Sequence, residues 1–338
     1  MSRRTRRRQS CLSALHIVLI LILILLTACV AVKALFLKAP EQKTDPLPSA
    51  DSGAQQQEED TLTDEERAAQ EALRSHLERK DGFYTILVSG SDDGNGNSDT
   101  NILVAVDTVN GYVYGVSIPR DSKAEWGGKA HKINAAFGSG GMEKLAEVVS
   151  DQLGIPVDYT VSVDLTGFIA LVDAIGGVEF NVPIDMDYDD PYQDLSIHFS
   201  KGTQWLNGTN AMKVVRFRHN NDGTGYGSED LGRMTTQQRF LKAVAKKMLS
   251  AGNILTKIDD YAKIFDQYVE TDLTVGNLAW LGTEVLKMGV DRIEFSTLPN
   301  EWRSPYIYLL PDETLAVVNT HLNPYVEART AEDLNLPA

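Results

Sequence analysis

The chain has 338 residues, of which 43% are hydrophobic, 23% charged and 8% aromatic, proportions that are ordinary for a globular protein. Its charge is unevenly distributed: residues 1–38 carry +7, and the remaining 300 residues carry 25 basic and 47 acidic side chains, a net −22. A domain with this much negative charge repels polyanions, which disfavours duplex DNA as a ligand. Both cysteines, Cys11 and Cys29, lie within the first 29 residues, which excludes a disulfide framework or a cysteine metal site in the folded part.

The start of the chain predicts a membrane anchor. An arginine-rich segment precedes about 22 mostly apolar residues, 11–32, which as a helix would span roughly 33 Å, the thickness of a bilayer's hydrocarbon core. We therefore predict a cytoplasmic basic segment at 1–10 and a transmembrane helix at 11–37, with everything beyond on the extracellular side. The alternative is a lipoprotein cleavage box ending at Cys29, although the chain stays apolar after that residue.

The rest of the chain predicts a stalk followed by one folded domain. Residues 38–80 are rich in proline, glutamine and acidic side chains, which favours an extracellular linker. Alternating strand and helix patterns with no internal repeat then predict a single α/β domain over 81–330 and a short tail at 331–338. The predicted strands are 83–88, 101–106, 112–118, 178–182 and 293–298, and the predicted helices are 142–153, 165–175, 236–249 and 275–288.

Two carboxylates flank the connection between the first two predicted strands. Asp92 and Asp99 each sit where a strand ends or begins, so they are expected to converge at one edge of the sheet. Two carboxylates with few other ligands suit Mg²⁺ held jointly with a substrate phosphate. An EF-hand loop beginning at Asp93 is excluded, because Ser98 stands where it needs glycine and Val104 where it needs glutamate.

Four arginines at predicted loops and strand ends form the second candidate group. Arg120 follows the third strand, Arg216 and Arg218 share one face if their segment is extended, and Arg233 follows in a later segment. Guanidinium forks match phosphate oxygens, and such clusters favour a phosphoryl ligand, with Lys132 as a further candidate. For any one of them, pairing with a carboxylate of this acidic domain is the alternative.

The order of these segments resembles the LytR-CpsA-Psr family of membrane-anchored cell-wall glycopolymer phosphotransferases. The stretches that carry the resemblance are Gly90-Ser91-Asp92, Ser98-Asp99-Thr100, Ser117-Ile118-Pro119-Arg120-Asp121, Lys132-Ile133-Asn134-Ala135-Ala136-Phe137, Gly176-Gly177-Val178, Arg216-Phe217-Arg218, and Gly232-Arg233 with Gln237-Gln238. They occur in the family's order, and the similarity extends from about 83 to 325.

The resemblance implies an α/β/α sandwich with a central mixed sheet and a hydrophobic pocket for a polyprenyl chain. It also implies Mg²⁺-dependent transfer of a teichoic acid or capsule-type polymer from an undecaprenyl-pyrophosphate carrier to peptidoglycan. Residue by residue, Asp92 and Asp99 correspond to metal-linked acids and Gln238 to a head-group contact. The pyrophosphate-binding arginines correspond to Arg120, Arg216, Arg218 and Arg233.

Two positions depart from the family pattern, because Asn97 and Thr236 stand where the family has arginines. Both changes weaken the expected hold on phosphate. They are compatible with a less charged donor, with compensation by Lys132 or Arg239, or with reduced activity.

The mechanism that fits is electrostatic. Guanidinium groups, Arg120 first, and one Mg²⁺ stabilise charge on the pyrophosphate oxygens, and either Asp121 or Asp99 takes the proton of the attacking hydroxyl. The alternatives are a non-catalytic binding protein for lipid-linked precursors and a transcriptional attenuator. About ten cytoplasmic residues are too few for a DNA-reading helix-turn-helix, which disfavours the attenuator.

Overall fold

The computed structural model describes residues 37–43, 77–91, 97–192, 195–227, 229–248, 263–264 and 267–337. All of the predicted anchor at 11–37 except its last residue, most of the predicted stalk, and Asp92 therefore lie outside the described residues. Within the described ranges, none of the helices combines the length and the apolar character needed to cross a bilayer. The described residues divide into a small unit, 37–41 with 274–283, and a large unit, 42–273 with 284–337.

Fourteen strands are present in the described residues. In chain order β1 to β14, they are Phe83–Ser91, Ser98–Asp107, Tyr112–Ile118, Lys123–Trp126, Lys129–Lys132, Tyr159–Asp164, Val178–Val182, Met186–Asp190, Leu195–Phe199, Gly202–Leu206, Val269–Thr271, Ile293–Thr297, Asn300–Arg303 and Tyr306–Leu309. The α-helices α1 to α6 are Asn134–Leu153, Leu165–Ala174, Gly208–Arg216, Glu229–Met248, Val275–Met288 and Pro311–Val317.

The large unit is built on a six-stranded mixed sheet with the order β11-β6-β1-β2-β3-β12. β2 is antiparallel to β1 and β3, β6 is parallel to β1 and antiparallel to β11, and β12 is parallel to β3. This confirms a mixed α/β fold with a central mixed sheet. Because of these directions, the ends of β1, β3 and β12 meet the start of β2 at one edge of the sheet.

Helices cover both faces of this sheet. Leu103 in β2 and Val116 in β3 are fully buried in a cluster with Leu145 and Val149 of α1. Side chains alternate along a strand, so Ser117 points to the opposite face, where it is hydrogen-bonded to Gln238 of α4. The sheet is thereby held between α1 and α4.

A second hydrophobic cluster lies among the later elements of the large unit. It joins Val172 of α2, Phe180 of β7, Ile197 of β9, Val214 of α3 and Phe240 of α4. Val172 is fully buried in this cluster.

The end of the predicted stalk is tied to the domain. Arg79 Nη2 binds both carboxylate oxygens of the buried Asp158, at 2.9 and 2.7 Å. Lys80 N donates to Pro324 O at 2.8 Å, and Val326 N donates to Glu78 O at 2.9 Å. Residues 78–80 are therefore fastened to both the sheet region and the C-terminal segment.

Candidate functional site

The first site feature is a bulge at the start of β2. Ser91 pairs with Ser98 and Gly90 pairs with Thr100, so Asp99 is an extra residue without a cross-strand partner. Bulges re-aim side chains and are common beside active sites. The side chain of Asp99, like all of Asp92, lies outside the described part of the structure, so the convergence of the two acids stays a prediction.

Asp121 lies where β3 has ended and the chain turns towards β4. Its Oδ1 is 2.8 Å from Lys132 Nζ, and its Oδ2 is 3.8 Å from Arg120 Nε. The Asp121 side chain is 19% exposed, which leaves its oxygens open to a ligand as well as to the two cations. The turn is fixed by the backbone, because Asn134 N at the start of α1 donates to Arg120 O at 3.1 Å.

Arg120 and Arg233 come from distant parts of the chain and line the same small cavity. The cavity has a volume of about 10 Å³, room for a single water molecule, at the edge where β2 starts and β3 ends. Arg233 is only 6% exposed. A guanidinium so far removed from water is stable only when anionic or polar oxygens surround it. The lining residues are Thr100, Asn101, Ser117, Ile118, Pro119, Arg120, Arg233, Met234 and Gln237.

The two neighbouring glutamines of α4 occupy different positions. Gln238 Nε2 donates to Ser117 Oγ, Ser296 O and Thr297 Oγ1 at 2.8–3.1 Å, which fastens α4 to the ends of β3 and β12. Gln237 instead lines the cavity. The head-group contact implied for Gln238 stays a prediction, and the structure adds Gln237 as a residue facing the candidate site.

The segment that carries Arg216 and Arg218 is not extended throughout, so the condition for the two side chains to share one face is not met. Arg216 is the last residue of α3, and Phe217 after it is extended, with φ −60° and ψ 136°. Phe217, which lies between the two arginines in the chain, is buried and packs against Tyr226. Neither arginine lines the small cavity, and their role in binding pyrophosphate stays a prediction.

Thr236 is locked into the protein interior. Its Oγ1 lies within hydrogen-bond distance of two oxygens, Gly232 O at 2.9 Å and Tyr226 Oη at 3.0 Å. Burial raises the pKa of Tyr226, and the hydrogen bond with Thr236 partly opposes that rise. A side chain at position 232 would begin 2.2 Å from Tyr226 Cβ, which explains the glycine. Tyr226 thus fills the space beside Thr236, and the arginine that the family has at 236 is replaced by a buried polar contact.

The sequence pointed to only part of this lining. Thr100, Ser117 and Pro119 lie within the quoted motifs, but none was singled out, because their side chains carry no charge. Asn101 was taken only as a strand residue. It is 2% exposed, and its Oδ1 accepts from Ser89 Oγ at 3.1 Å.

The predicted metal ligands are Asp92 and Asp99, whose side chains lie outside the described residues. The described residues contain no group of three or more histidine, cysteine, aspartate or glutamate side chains able to hold a metal ion. The Mg²⁺ site implied for Asp92 and Asp99 stays a prediction. The bulge fits this use, since it places the backbone of an acidic residue next to Thr100 in the cavity wall.

The central mixed sheet defines a mixed α/β protein, and comparisons with known proteins identify its family. The LytR_cpsA_psr family model matches residues 49–323, so the chain belongs to that family. It is 36% identical over 202 residues to polyisoprenyl-teichoic acid–peptidoglycan teichoic acid transferase TagV of Bacillus subtilis (strain 168), covering 57% of this chain and 50% of the relative. Regulatory protein MsrR of Staphylococcus aureus (strain COL) is 30% identical over 227 residues, covering 65% of this chain and 66% of that one.

The fold is shared with solved structures. The crystal structure of B. subtilis TagV superposes with a TM-score of 0.60 at 29% identity, covering 70% of this chain and 95% of that one. The matches to the curated relatives span only about half to two thirds of the relatives' length.

Proposed function

We propose that the protein transfers a phosphorylated glycopolymer, of teichoic acid or capsule type, from an undecaprenyl-pyrophosphate carrier to peptidoglycan. The observation that carries this proposal is the cavity shared by Arg120 and Arg233, in a chain that is otherwise strongly acidic. The name of the relative TagV, a transferase between a polyisoprenyl carrier and peptidoglycan, supports the same reaction class.

The reaction is a displacement at phosphorus. A sugar hydroxyl of the acceptor attacks the phosphorus that bears the glycopolymer, the bond from that phosphorus to the bridging oxygen breaks, and polyprenyl phosphate leaves. Negative charge grows on the bridging and non-bridging oxygens, and Arg120 and Arg233 stabilise it as preplaced donors. Arg216, Arg218, Lys132 and Gln238 complete the proposed pyrophosphate site.

The proton of the attacking hydroxyl goes to a carboxylate, either Asp121 or Asp99. Asp121 has a position that suits this role, because Lys132 holds it at 2.8 Å beside Arg120. A bound Mg²⁺, held by Asp92 and Asp99, would neutralise phosphate charge and orient the donor. The polyprenyl chain would run into a hydrophobic pocket of the α/β/α sandwich.

The proposed location is the cell membrane, with a single-pass anchor at 11–37, a cytoplasmic N-terminus and an extracellular domain. A reporter fused after Ala338 should then be active only outside the cytoplasm. Cys29→Ala should leave the chain membrane-bound at full length, whereas loss of lipid labelling in that variant would establish the lipoprotein alternative.

The decisive experiment supplies the purified full-length chain with a short lipid-linked donor and peptidoglycan sacculi, and measures the release of polyprenyl phosphate. A non-catalytic carrier is the second candidate, and it is favoured by Thr236, which Tyr226 holds where the family has an arginine. Binding of the donor without any release of polyprenyl phosphate would establish the carrier and overturn the transferase.

A further inference from the structure

Two β-hairpins lie side by side next to the candidate site. The first, β4 with β5, begins just after Asp121 and ends at Lys132. The second is β13 with β14. They are joined where Ser122 pairs in parallel with Ile307, and Ile307 N donates to Asp121 O at 2.9 Å.

The pairing determines which side chains share the outer face. Ser122 is fully buried, so its neighbours on either side point away from the core. In this register Asp121 lies next to Tyr306 and Lys123 lies next to Tyr308. The Lys123 ammonium indeed sits 5.3 Å from the centre of the Tyr308 ring.

The second hairpin adds a further cation to this face. Arg303 pairs with Tyr306 across the hairpin, and its guanidinium lies 5.0 Å from the centre of the Tyr308 ring. Together these residues form a continuous surface that we call the hairpin face. Its members are Asp121, Lys123, Lys132, Arg303, Tyr306 and Tyr308.

The hairpin face is aromatic and its cations are ion-paired. Arg303 pairs with Glu301, and Lys123 Nζ lies 3.4 Å from Glu125 Oε1. The Arg303 side chain is 61% exposed, and Tyr306 is half-buried with its hydroxyl 3.4 Å from Ala130 O. A tyrosine ring held in this way offers an apolar surface beside a polar edge.

We propose that the hairpin face binds the glycan strand of the acceptor. Sugar rings present flat C–H faces that pack on tyrosine, and their hydroxyls hydrogen-bond to the ion pairs at the rim of the rings. The face runs directly to Asp121, so a strand lying on it presents a hydroxyl at the phosphoryl site. The inference rests on the proposed function for the identity of the acceptor.

The test uses the full-length chain in detergent and peptidoglycan sacculi stripped of attached polymers. The double variant Tyr306→Ala with Arg303→Ala should bind sacculi about tenfold more weakly in co-sedimentation and raise the sacculus concentration for half-maximal transfer about tenfold. Its kcat should stay within about twofold of wild type, because saturating acceptor restores occupancy. The matched control is Tyr192→Ala with Lys201→Ala, an exposed ring and cation away from both hairpins, and it should bind sacculi normally.

The outcomes separate this inference from the proposed function. Normal sacculus binding by the hairpin variant, with transfer intact, would overturn the hairpin face and leave the transferase standing. An equal loss in the control variant would overturn it too. If wild type releases no polyprenyl phosphate but sacculus binding still depends on Tyr306 and Arg303, the face is supported and the transfer reaction is overturned.

Discussion

Gln238 of α4 donates a hydrogen bond from Nε2 to Ser117 Oγ of β3 at 2.9 Å. This contact fastens the helix that carries Arg233 to the strand that leads into Arg120. The two guanidinium groups therefore line one cavity only as long as α4 stays attached to the ends of β3 and β12.

Replacing Gln238 with leucine should reduce both stability and activity. The change leaves Ser117 and the strand-end oxygens without their donor, which costs about 1–3 kcal/mol of unfolding free energy. It should also lower kcat, since Arg233 loses its position relative to Arg120. Urea unfolding and polyprenyl phosphate release measure the two effects. Gln237→Leu is the control: its Nε2 makes one bond, to Val215 O, so it should cost less stability. Wild-type behaviour of Gln238→Leu in both assays would contradict the coupling.

Arg120→Lys should fail nearly as badly as Arg120→Ala. An ammonium keeps the charge but loses the planar fork that binds two phosphate oxygens. Losing about 2–4 kcal/mol of transition-state stabilisation slows transfer roughly 30- to 1,000-fold. Arg292→Ala, an exposed arginine that does not line the cavity, is the control and should remain active. The assay is release of polyprenyl phosphate, with thermal melting to verify folding. Normal turnover in both Arg120 variants would contradict the proposed binding of phosphate by Arg120.

Asp92→Asn and Asp99→Asn should mainly raise the Mg²⁺ concentration needed for activity. Each change removes one ligand charge and almost no volume, so the fold should be retained. A Mg²⁺ titration of transfer activity measures the shift. Asp93→Asn, in the same connection between strands, should leave the titration unchanged. Equal activity with chelator and with Mg²⁺ in the wild type would rule out the metal.

Arg79→Ala should destabilise the domain far more than Arg329→Ala. Both guanidinium groups face the Tyr325 ring, at 5.9 and 5.3 Å from its centre. Arg79 neutralises the fully buried Asp158, and removing it leaves an uncompensated charge at a cost of about 3–5 kcal/mol. Arg329 pairs with the more exposed Asp333, which is worth about 1 kcal/mol at most. Urea unfolding of the two variants gives the comparison, and similar losses would contradict it.

His321 should make stability depend on pH. Burial lowers the pKa of His321 below 6.5, partly opposed by Glu294, and the ring stacks on Tyr114 with 3.6 Å between centres. The folded state thus disfavours the protonated form of His321. The contribution of His321 to the free energy of unfolding is therefore complete above pH 6.5 and declines as the pH falls below that value. His321→Phe keeps a ring for stacking and should flatten the change in melting temperature between pH 7.5 and 5.5. An unchanged pH dependence in that variant would exclude His321 as its source.

The secondary structure was predicted well where the pattern was long. The strands at 112–118 and 178–182 and the helix at 275–288 have the predicted bounds, because alternation or helical periodicity continues through each of them. α1 begins at Asn134 and not at 142, since the glycines in its first half obscure the helical pattern. Gly140 and Gly141 indeed leave helical geometry and kink the helix.

The short hairpins gave no usable signal. β4, β5, β13 and β14 have four residues each, too few for a period of two to stand out from chance. The contact between the two hairpins, on which the hairpin face depends, joins Ser122 to Ile307, two residues that are far apart in the sequence. The sequence left the conformation at Arg216 open for a related reason, since Val214 and Val215 favour a strand locally but lie here at the end of α3.

The sequence by itself determined the family, the mixed α/β class and the residue types of the candidate site, because motifs and periodicity are properties of neighbouring residues. Only the tertiary structure decided that Arg120 and Arg233 line one cavity, that Asp99 is the extra residue of a bulge, and that Tyr226 fills the space beside Thr236. These relationships depend on how strands register and how a helix packs across them. Such packing is set by burial and hydrogen bonding between distant segments, which a linear pattern does not record.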